Sequence, residues 1–381
     1  MKILFVQKMA AISGSELYLM HILPELKRRG YDVSVLIIFP TVPVGTKPFI
    51  SHFSANGISS HEIYGHGALS PLLMLKIRQL LHRGKYDLVQ SNLVHADLWM
   101  ALQKLFFFPR LKLISVKHGF DEVYSARYGN NPKYLKRSTF FWVQKFSGFF
   151  ANFNVSISKG LFDMYVHGNI VKKEKIANIY YGLNLNGLTN LTVENDPPEV
   201  YALILGRLVK YKGHDMLLKA WRKVTAVNPS WKLYIVGGGS YEENLKKQRL
   251  DLSLTECVHF LGYQSKPHQL IRDARFLCVT STWEGFGLIM LEGWAQKKPI
   301  VGFDVPAINE LVIDSKHGRL ATPFDIDDLA DMIIDLFTNP DKTKRLGEAG
   351  YRRLHDFFTV ERMTDEMEIV YRHVNAPSKH G

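Results

Sequence analysis

Two basic side chains follow one apolar run in the second half of the chain. Arg207 and Lys212 come after Tyr201–Leu205, and Gly213 stands directly before a helical pattern. In open parallel sheets ligands bind outside the carboxyl ends of the strands, and fixed cations there stabilise an anion that gains charge during a reaction. The pair therefore suits a diphosphate leaving group. A solvated basic loop is the alternative interpretation.

Two carboxylates mark a second junction between a strand-like run and a helical pattern. Glu284 and Glu292 stand eight residues apart. Eight residues of α-helix are a little over two turns, so both carboxylates could contact one ligand at separate points. Gly285 and Gly287 let the backbone approach that ligand, and the helix N-terminus can hold a phosphate oxygen. The alternative interpretation, in which Glu284 only caps the helix, leaves the two glycines unexplained.

A third junction lies near the N-terminus, in the segment Ser13-Gly14-Ser15-Glu16. Gly14 and Ser15 follow a strand-like run and open a helical pattern, which directs free backbone N–H groups and a positive dipole end toward a ligand. A phosphate would fit there. A plain turn with Ser13 or Ser15 as the helix N-cap is an equally good interpretation.

The elements that must position these residues alternate between short apolar runs and longer helical patterns. The predicted strands are 2–6, Asp32–Phe39, 88–90 and 111–116, followed by Tyr201–Leu205, 231–236, 258–261, 276–280 and 299–302. Helical patterns at 16–29, at 215–227 and from about 288 lie between them. This rhythm predicts the α/β class, with two doubly wound parallel-sheet domains.

The chain length and a break in the pattern of strands and helices predict the domain boundaries. A chain of 381 residues exceeds the ~250–300 residues at which single cores stop growing. The Asn- and Pro-containing stretch 186–198 interrupts the rhythm, so we predict an N-terminal domain over 1–185, this linker, and a C-terminal domain over 199–358. Residues 359–381 are predicted to form a helix that packs back on the N-terminal domain.

The amino-acid composition indicates which class of partner and which cellular compartment to expect. The formal charge of +12 favours an anionic partner, and 46% apolar residues argue against extensive disorder. Cys257 and Cys278 stand in apolar runs without metal-ligand spacing, which suits a reducing cytosol. No apolar run reaches the ~18 residues of a membrane-spanning helix, and the first one is too short for a signal peptide. The sequence thus predicts a cytoplasmic protein.

Taken together, the motifs form a pattern known from one enzyme family. They are Gly206-Arg207-Leu208, Lys212-Gly213, Val236-Gly237-Gly238-Gly239, Leu261-Gly262, Glu284-Gly285-Phe286-Gly287 with Glu292, and Pro299-Ile300-Val301, preceded by Gly14-Ser15-Glu16, Val116-Lys117-His118-Gly119 and Asn154-Val155-Ser156. Their order and spacing resemble the family 4 retaining glycosyltransferases of the GT-B fold. The resemblance covers essentially the whole chain.

The resemblance implies transfer of a sugar from a nucleoside diphosphate sugar to an acceptor hydroxyl, with retention at the anomeric carbon. Two Rossmann-like domains would face each other across a cleft, the C-terminal one binding the donor and the N-terminal one the acceptor. Uridine is favoured as the base by its frequency among such enzymes. The products would be bacterial cell-surface polysaccharide, lipopolysaccharide or glycolipid.

The same resemblance assigns the donor site residue by residue. Arg207 and Lys212 would hold the diphosphate, Glu284 the sugar hydroxyls and Glu292 the ribose, while backbone amides from Phe286 to Leu288 would contact phosphates. The implied donor site as a whole comprises Gly14, Ser15, Gly206, Arg207, Lys212, Gly238, Gly262, Glu284, Gly285, Phe286, Gly287, Leu288 and Glu292.

On the acceptor side the resemblance assigns His118 to the reacting sugar, and a polar residue at the rim of a strand is its alternative interpretation. His95 is a second acceptor-side candidate. The implied catalytic residues are His118, Arg207, Lys212 and Glu284. Because no carboxylate of the N-terminal domain is an obvious nucleophile, catalysis would rest on stabilising the departing diphosphate.

No metal or cofactor is expected. Asp325-Ile326-Asp327 has the Asp-x-Asp form of a metal site, but it opens a helical pattern after Pro323, so we predict that Asp325 is an N-cap. The sequence departs from the family at Ser13, where a glycine is usual. It also departs at 305–308, where many relatives have a glycine-rich segment before the position of Glu310.

Other functions use the same residues. A sugar nucleotide epimerase or a phosphorylase of the GT-B fold would need the same phosphate-binding groups. A catalytically silent carbohydrate-binding subunit would not need Arg207, Lys212, Glu284 and Glu292 together. A nucleic-acid binder would explain the charge but not the paired glutamates, so no nucleic acid is expected as a partner.

One segment of the N-terminal half is both basic and aromatic. Lys133, Lys136, Arg137 and Lys145 interleave with Phe140, Phe141, Trp142, Phe146, Phe149 and Phe150, and the stretch 105–110 is similar. This composition suits peripheral contact with an anionic membrane and a lipid-linked acceptor. Burial of most of these aromatic rings in the domain core is an equally good interpretation.

Overall fold

The computed structural model describes residues 1–9, 14–39, 47–64, 67, 70–120, 132–185, 200–264 and 266–376, without the side chains of residues 47, 48, 132, 133 and 137. The predicted linker, Ser13 and the side chains of Lys133 and Arg137 lie outside the described residues. The chain divides into two compact units: unit 1 combines Met1–Asn184 with Val360–Gly381, and unit 2 is Leu185–Thr359.

A parallel sheet of seven described strands forms the centre of unit 1. In chain order the strands are β1 Lys2–Lys8, β2 Asp32–Phe39, β3 Ser59–Tyr64, β4 Leu88–Asn92, β5 Leu113–Lys117, β6 Phe153–Ser156 and β7 Ile176–Asn178. Across the sheet the order is β3-β2-β1-β4-β5-β6-β7, so the winding reverses between β1 and β4. Ligands of doubly wound sheets bind at such a reversal, outside the carboxyl ends of the strands.

Helices cover the faces of this sheet. They are α1 Gly14–Arg28, α2 Lys47–Ala55, α3 Pro71–Gly84, α4 Leu93–Phe106, α5 Thr139–Phe150 and α6 Lys159–His167, with 3-10 turns at Pro132–Arg137 and Lys173–Lys175. Leu4, Val6 and Leu36 of the sheet pack on α3 and α4, and α5 packs against α4. Because β1 to β2 winds in the opposite direction from β3 to β4, right-handed crossovers put α1 on the other face.

A parallel sheet of six described strands forms the centre of unit 2. The strands are β8 Tyr201–Leu205, β9 Lys232–Val236, β10 Val258–Gly262, β11 Phe276–Val279, β12 Ile300–Phe303 and β13 Gly318–Ala321. Their order is β10-β9-β8-β11-β12-β13, with the reversal between β8 and β11. The loops after these two neighbouring strands carry Arg207, Lys212 and Glu284, so all three lie at the carboxyl edge of the sheet.

The helices of unit 2 alternate with its strands. They are α7 His214–Val227, α8 Glu242–Asp251, α9 His268–Asp273, α10 Leu288–Ala295, α11 Ile308–Leu311, α12 Ile326–Thr338 and α13 Pro340–Phe357. Asp325 is the N-cap of α12, as predicted: its Oδ1 accepts hydrogen bonds from the N–H of Asp327 at 2.9 Å and of Asp328 at 3.1 Å. Ala307, just before α11, has a φ of 70°, which costs an alanine more than a glycine. The departure from the family pattern at 305–308 therefore leaves a strained residue.

The last helix, α14 Val360–Asn375, belongs to unit 1. The N–H of Val360 donates to the carbonyl of Leu183 at 3.1 Å, and the Tyr371 hydroxyl donates to Gln90 Oε1 at 2.7 Å. Met367 and Tyr371 are fully buried, and α14 packs against α1. The core of unit 1 is therefore complete only with residues that follow unit 2 in the chain.

The aromatic segment divides between core and surface. Phe141 of α5 is fully buried, whereas Trp142 is 55% exposed and Phe149 is 72% exposed. Burial in the core therefore accounts for Phe141 but is wrong for Trp142 and Phe149. No helix among the described residues is long and apolar enough to cross a bilayer.

Candidate functional site

Two loops of unit 2 bond to each other at the carboxyl edge of the sheet. The 3-10 turn Lys210–Lys212 follows β8, and Thr280 directly follows β11. The N–H of Thr282 donates to the Tyr211 carbonyl at 2.8 Å, and Thr280 Oγ1 donates to the Gly213 carbonyl at 3.1 Å. Gly213 has a φ of 69°, and a Cβ there would lie 2.0 Å from the Thr280 oxygen. A glycine is therefore required for this contact.

The contact between the loops brings Lys212 and Glu284 together. Lys212 Nζ lies 2.5 Å from Glu284 Oε1, and Ser281 Oγ donates to the same oxygen at 2.6 Å. Glu284 is buried and Lys212 is partly buried. The carboxylate therefore fixes the position of the ammonium group by a charge-assisted hydrogen bond.

Arg207 lies on the same edge and contacts the residue beside Lys212. Its Nη2 donates to the Tyr211 hydroxyl at 2.5 Å, and its guanidinium carbon lies 5.9 Å from the centre of the Tyr211 ring. Lys212 Nζ lies 5.6 Å from the same ring centre. The structure thus brings Arg207 and Lys212 together around Tyr211, a residue that the motifs did not single out, and Glu284 joins the group through its bond to Lys212.

The predicted donor-site glycines Gly206, Gly238 and Gly262 lie where three loops pack closely. The N–H of Leu208 donates to the Gly238 carbonyl, and the N–H of Gly237 donates to the Gly262 carbonyl, both at 2.9 Å. Gly237 has a φ of 133°, and a Cβ there would lie 1.9 Å from the Gly206 oxygen. The structure gives these glycines a packing role, and their contact with a donor stays a prediction.

The segment that begins with Gly285 leads directly into helix α10. Gly287 is the N-cap of α10, with a φ of 87°, and Leu288 is the first helical residue. Phe286 is buried, and its ring centre lies 6.1 Å from that of Phe358. The side chain of Phe286 therefore anchors the segment, and only backbone groups are left to contact a phosphate.

Glu292 lies in α10, well below the surface, although part of the side chain still reaches solvent. Burial raises the pKa of its carboxyl to about 7. Among the described residues, its carboxylate has no hydrogen-bond or ion-pair partner. An unpaired carboxylate in this position lowers the stability of the protein unless a ligand pairs with it.

We expect Glu292→Gln to stabilise the protein at pH 8 and to leave its stability near pH 4 almost unchanged. The folded-state pKa of about 7 lies above the unfolded value, so the unfolded chain loses its proton first as the pH rises, and stability falls between about pH 4.5 and 7. The full shift corresponds to at most ~3 kcal/mol, which the remaining solvent contact reduces. Thermal unfolding at both pH values measures the change. Glu256→Gln, at an exposed position, is the control, and an equal gain at both pH values would contradict the prediction.

In unit 1, His118 directly follows β5 at the carboxyl edge of the sheet. Its Nε2 lies 3.0 Å from Asn92 Oδ1, and its Nδ1 contacts the Tyr181 hydroxyl. Burial, assisted by the charge of Lys117, lowers the pKa of His118 to about 3, so the ring is neutral at physiological pH. The neutral form that satisfies both partners accepts the Tyr181 proton at Nδ1 and donates from Nε2 to Asn92.

The other predicted residues of unit 1 lie at separate points of this edge. His95 stands in the first turn of α4, with its Nε2 3.2 Å from Lys8 Nζ, and burial followed by the Lys8 charge lowers its pKa. Gly14 begins α1. Ser15 lies inside the first turn, where Gln7 Nε2 donates to its hydroxyl at 2.9 Å, so its interpretation as an N-cap is wrong.

A buried ion pair next to the predicted acceptor histidine escaped the sequence analysis. Lys117 Nζ lies 2.8 Å from Asp97 Oδ2 and donates to Gln144 Oε1 at 2.6 Å. Ser91 and Ser115 donate to Asp97 Oδ1 at 2.6 and 2.5 Å. The network joins α4, β5 and α5, and it fixes the strand end that carries the histidine. A lysine at the end of an otherwise largely apolar strand is the sequence signal for such a pair.

Two family models match the chain, one on each half. Residues 12–186 match the model described as Glycosyltransferase Family 4, and residues 192–353 match Glycosyl transferases group 1. An uncharacterised glycosyltransferase of Haemophilus influenzae is 25% identical, over 95% of this chain and 97% of its own length. A lipopolysaccharide 1,6-galactosyltransferase of Salmonella typhimurium is 26% identical, over 57% of this chain and 58% of its own length.

The fold is shared with solved structures. Anabaena HepE in complex with UDP and glucose has a TM-score of 0.82 to this chain at 22% identity, over 98% of this chain and 100% of the other. That likeness confirms the predicted GT-B fold class. The two family models, which together cover most of the chain, confirm what the motifs predicted: the chain belongs to the family 4 glycosyltransferases.

Proposed function

We propose that this glycosyltransferase moves a sugar from a nucleoside diphosphate sugar to an acceptor hydroxyl and retains the configuration of the anomeric carbon. The observation that carries the proposal is the grouping of Arg207 and Lys212 around Tyr211, with Glu284 bonded to Lys212, at the carboxyl edge of the unit 2 sheet. Two cations suit a diphosphate, and a buried carboxylate beside them suits the hydroxyls of the sugar attached to it.

The arrangement is preorganised for a charged donor. Glu284 holds Lys212 Nζ at 2.5 Å, so this cation needs little rearrangement when charge develops on a phosphate. The N-terminus of α10 adds free N–H groups on the same edge. The unpaired carboxyl of Glu292 suits the ribose hydroxyls of the nucleotide, which would replace solvent as its partners. Uridine is the base of choice because HepE, which has the same fold, was crystallised with UDP.

Catalysis is proposed to rest on the leaving group. As the bond between the anomeric carbon and the diphosphate breaks, its electron pair moves to the phosphate oxygen, where Arg207 and Lys212 offset the growing charge. The acceptor oxygen then bonds to the same face of the anomeric carbon, and its proton passes to the departing phosphate. Attack on the face that the leaving group vacates retains the configuration.

His118 is proposed to orient the reacting sugar. Its pKa of about 3 keeps the imidazole neutral, and both ring nitrogens already contact Asn92 and Tyr181, so it acts through its position and shape rather than through charge. Asn92 and Tyr181 hold the ring from two sides. A ring fixed in this way can position a substrate at small entropic cost.

We propose a cell-envelope glycan as the acceptor. The proposal is supported by the Salmonella relative, which is named as a lipopolysaccharide 1,6-galactosyltransferase. Such an enzyme would work in the cytoplasm, in peripheral contact with the anionic inner face of the cell membrane.

Incubation with a panel of nucleotide sugars tests the reaction. We expect slow release of UDP from one donor, faster release with an acceptor sugar, and a product whose anomeric configuration by NMR equals that of the donor. UDP should raise the melting temperature more than GDP or ADP does. A silent subunit would release no nucleoside diphosphate, an epimerase would change the sugar without releasing it, and an inverted product would refute retention.

We also expect activity to persist in excess EDTA, because Arg207, Lys212 and the N-terminus of α10 supply the positive charge that a metal ion would otherwise provide. Initial rates with and without the chelator measure the effect. Loss of activity on chelation, with recovery on addition of magnesium or manganese, would show that a metal takes part.

A further inference from the structure

The outward stripe of α5 is hydrophobic where a surface helix is normally polar. Its exposed positions include Trp142, Lys145 and Phe149, spaced three and four residues apart, while Phe141 and Gln144 face the core. Trp142 is 55% exposed and Phe149 is 72% exposed. Large apolar side chains that line one stripe mark an interaction surface, unlike singly scattered ones.

The neighbouring end of α4 extends this stripe. Leu105, Phe106 and Phe107 are 43%, 67% and 40% exposed. The two helices pack directly against each other, and Lys104 Nζ, near the end of α4, lies 2.5 Å from Asn152 Oδ1, just after α5. This contact joins the ends of the two helices, so Phe149 lies at the same end of the helix pair as Leu105, Phe106 and Phe107. We term the exposed side chains Leu105, Phe106, Phe107, Trp142 and Phe149 the aromatic face.

Cations border the aromatic face. The Arg78 guanidinium lies 4.6 Å from the centre of the Phe107 ring, and Lys145 Nζ lies 5.7 Å from that of Phe141. The Trp142 indole donates to the Lys136 carbonyl at 3.2 Å, which places a third, exposed cation beside the stripe. From residue 97 to residue 163 the sequence has ten Lys or Arg and four acidic residues, and one of these cations, Lys117, is buried in its ion pair with Asp97.

We propose that the aromatic face docks the protein on an anionic lipid surface, with the rings at the depth of the headgroups and the cations against lipid phosphates. Basic residues attract an anionic membrane over about one Debye length, ~10 Å at 0.1 M salt, and aromatic rings then enter the interface. The excess of positive charge is complementary to such a surface. A second copy of this chain would bring the same positive charge against it.

The start of α5 lies beside the predicted acceptor edge of unit 1, and the aromatic face extends from there to the opposite edge of the sheet, where α4 and α5 end. The Phe140 ring, at the start of α5, lies 4.8 Å from the ring of Phe120, which is two residues after His118. The choice of a lipid partner rests on the proposed function, since a lipid-linked acceptor would be presented at that surface.

Sedimentation of the full chain with vesicles tests the proposal, without nucleotide and over a series of NaCl concentrations. We expect binding to vesicles that contain phosphatidylglycerol, and at least tenfold weaker binding to pure phosphatidylcholine. Phe106→Ser with Phe149→Ser should weaken binding at least about tenfold at every salt concentration, because transfer of one aromatic ring contributes roughly tenfold. Lys136→Glu with Lys145→Glu should abolish binding at low salt.

Ile369→Ser is the matched control, because Ile369 is 60% exposed on α14, which packs on the opposite side of unit 1, against α1. It should bind as the unchanged protein does, and equal melting temperatures establish that the variants are folded. Equal binding to both kinds of vesicle, or no loss in either double variant, would overturn the proposal. So would a dimer in gel filtration that the Phe106/Phe149 variant dissociates. If the proposed function were wrong, UDP would not raise the melting temperature of the protein, and this result does not depend on the outcome of the vesicle experiment.

Discussion

Arg207→Ala and Lys212→Ala should each lower turnover by at least about 10²-fold, as expected when a fixed charge aimed at a developing anion is lost. Both lie on the loop between β8 and α7, so the fold should survive. Lys212→Ala should also weaken UDP binding, because it removes the cation that Glu284 holds in place at 2.5 Å. Steady-state rates and UDP-induced shifts in melting temperature measure both effects.

Lys210→Ala is the matched control, since Lys210 is an exposed cation in the same 3-10 turn, two residues before Lys212. It should retain near-normal turnover, which would show that net positive charge on the loop is not what matters. Near-normal turnover in both the Arg207 and the Lys212 variants would mean that the diphosphate binds elsewhere.

His118→Ala is expected to lower turnover by about 10²-fold while UDP binding stays nearly unchanged, since the nucleotide is proposed to be held mainly by Arg207, Lys212 and Glu292 of unit 2. Tyr181→Phe removes the hydroxyl that contacts His118 Nδ1 and should cause a smaller loss of the same kind. Rates at saturating donor, compared with UDP affinity by calorimetry, separate the two quantities.

His167→Ala, an exposed histidine at the end of α6, should change neither rate nor affinity. If His118→Ala lost UDP affinity and turnover in equal measure, the histidine would be structural, and its hydrogen bonds to Asn92 and Tyr181 would then serve the fold of unit 1.

The elements of the fold that are both long and apolar could be predicted from the sequence. Asp32–Phe39 and Tyr201–Leu205 were predicted with their observed bounds, because central strands buried on both faces are continuous apolar runs. Ser59–Tyr64 and Ile176–Asn178 were not predicted. Both are edge strands, and the first is mostly polar while the second has only three residues, so neither shows a clear pattern.

The candidate site could be predicted as a set of residues but not as a set of contacts. Lys212 and Glu284 are 72 residues apart, and only the pairing of β8 with β11 places their loops side by side. No sequence motif marked Tyr211, since its role depends on two basic side chains that only the fold brings to its ring. The buried face of α5 could not be predicted from the sequence either. Phenylalanine occupies both its buried and its exposed positions, so apolar residues do not recur with the helical period.

The position of α14 has a consequence for synthesis on the ribosome. Unit 2 is one continuous segment, whereas the core of unit 1 needs Met367 and Tyr371, which are translated after all of unit 2. Until the last helix is made, the N-terminal half lacks the hydrogen bonds that Gln90 Oε1 and the Leu183 carbonyl accept from that helix. Domains usually complete in the order in which they are made. In this chain the second unit is finished first, and the first is exposed to chaperones and proteases until the last helix arrives.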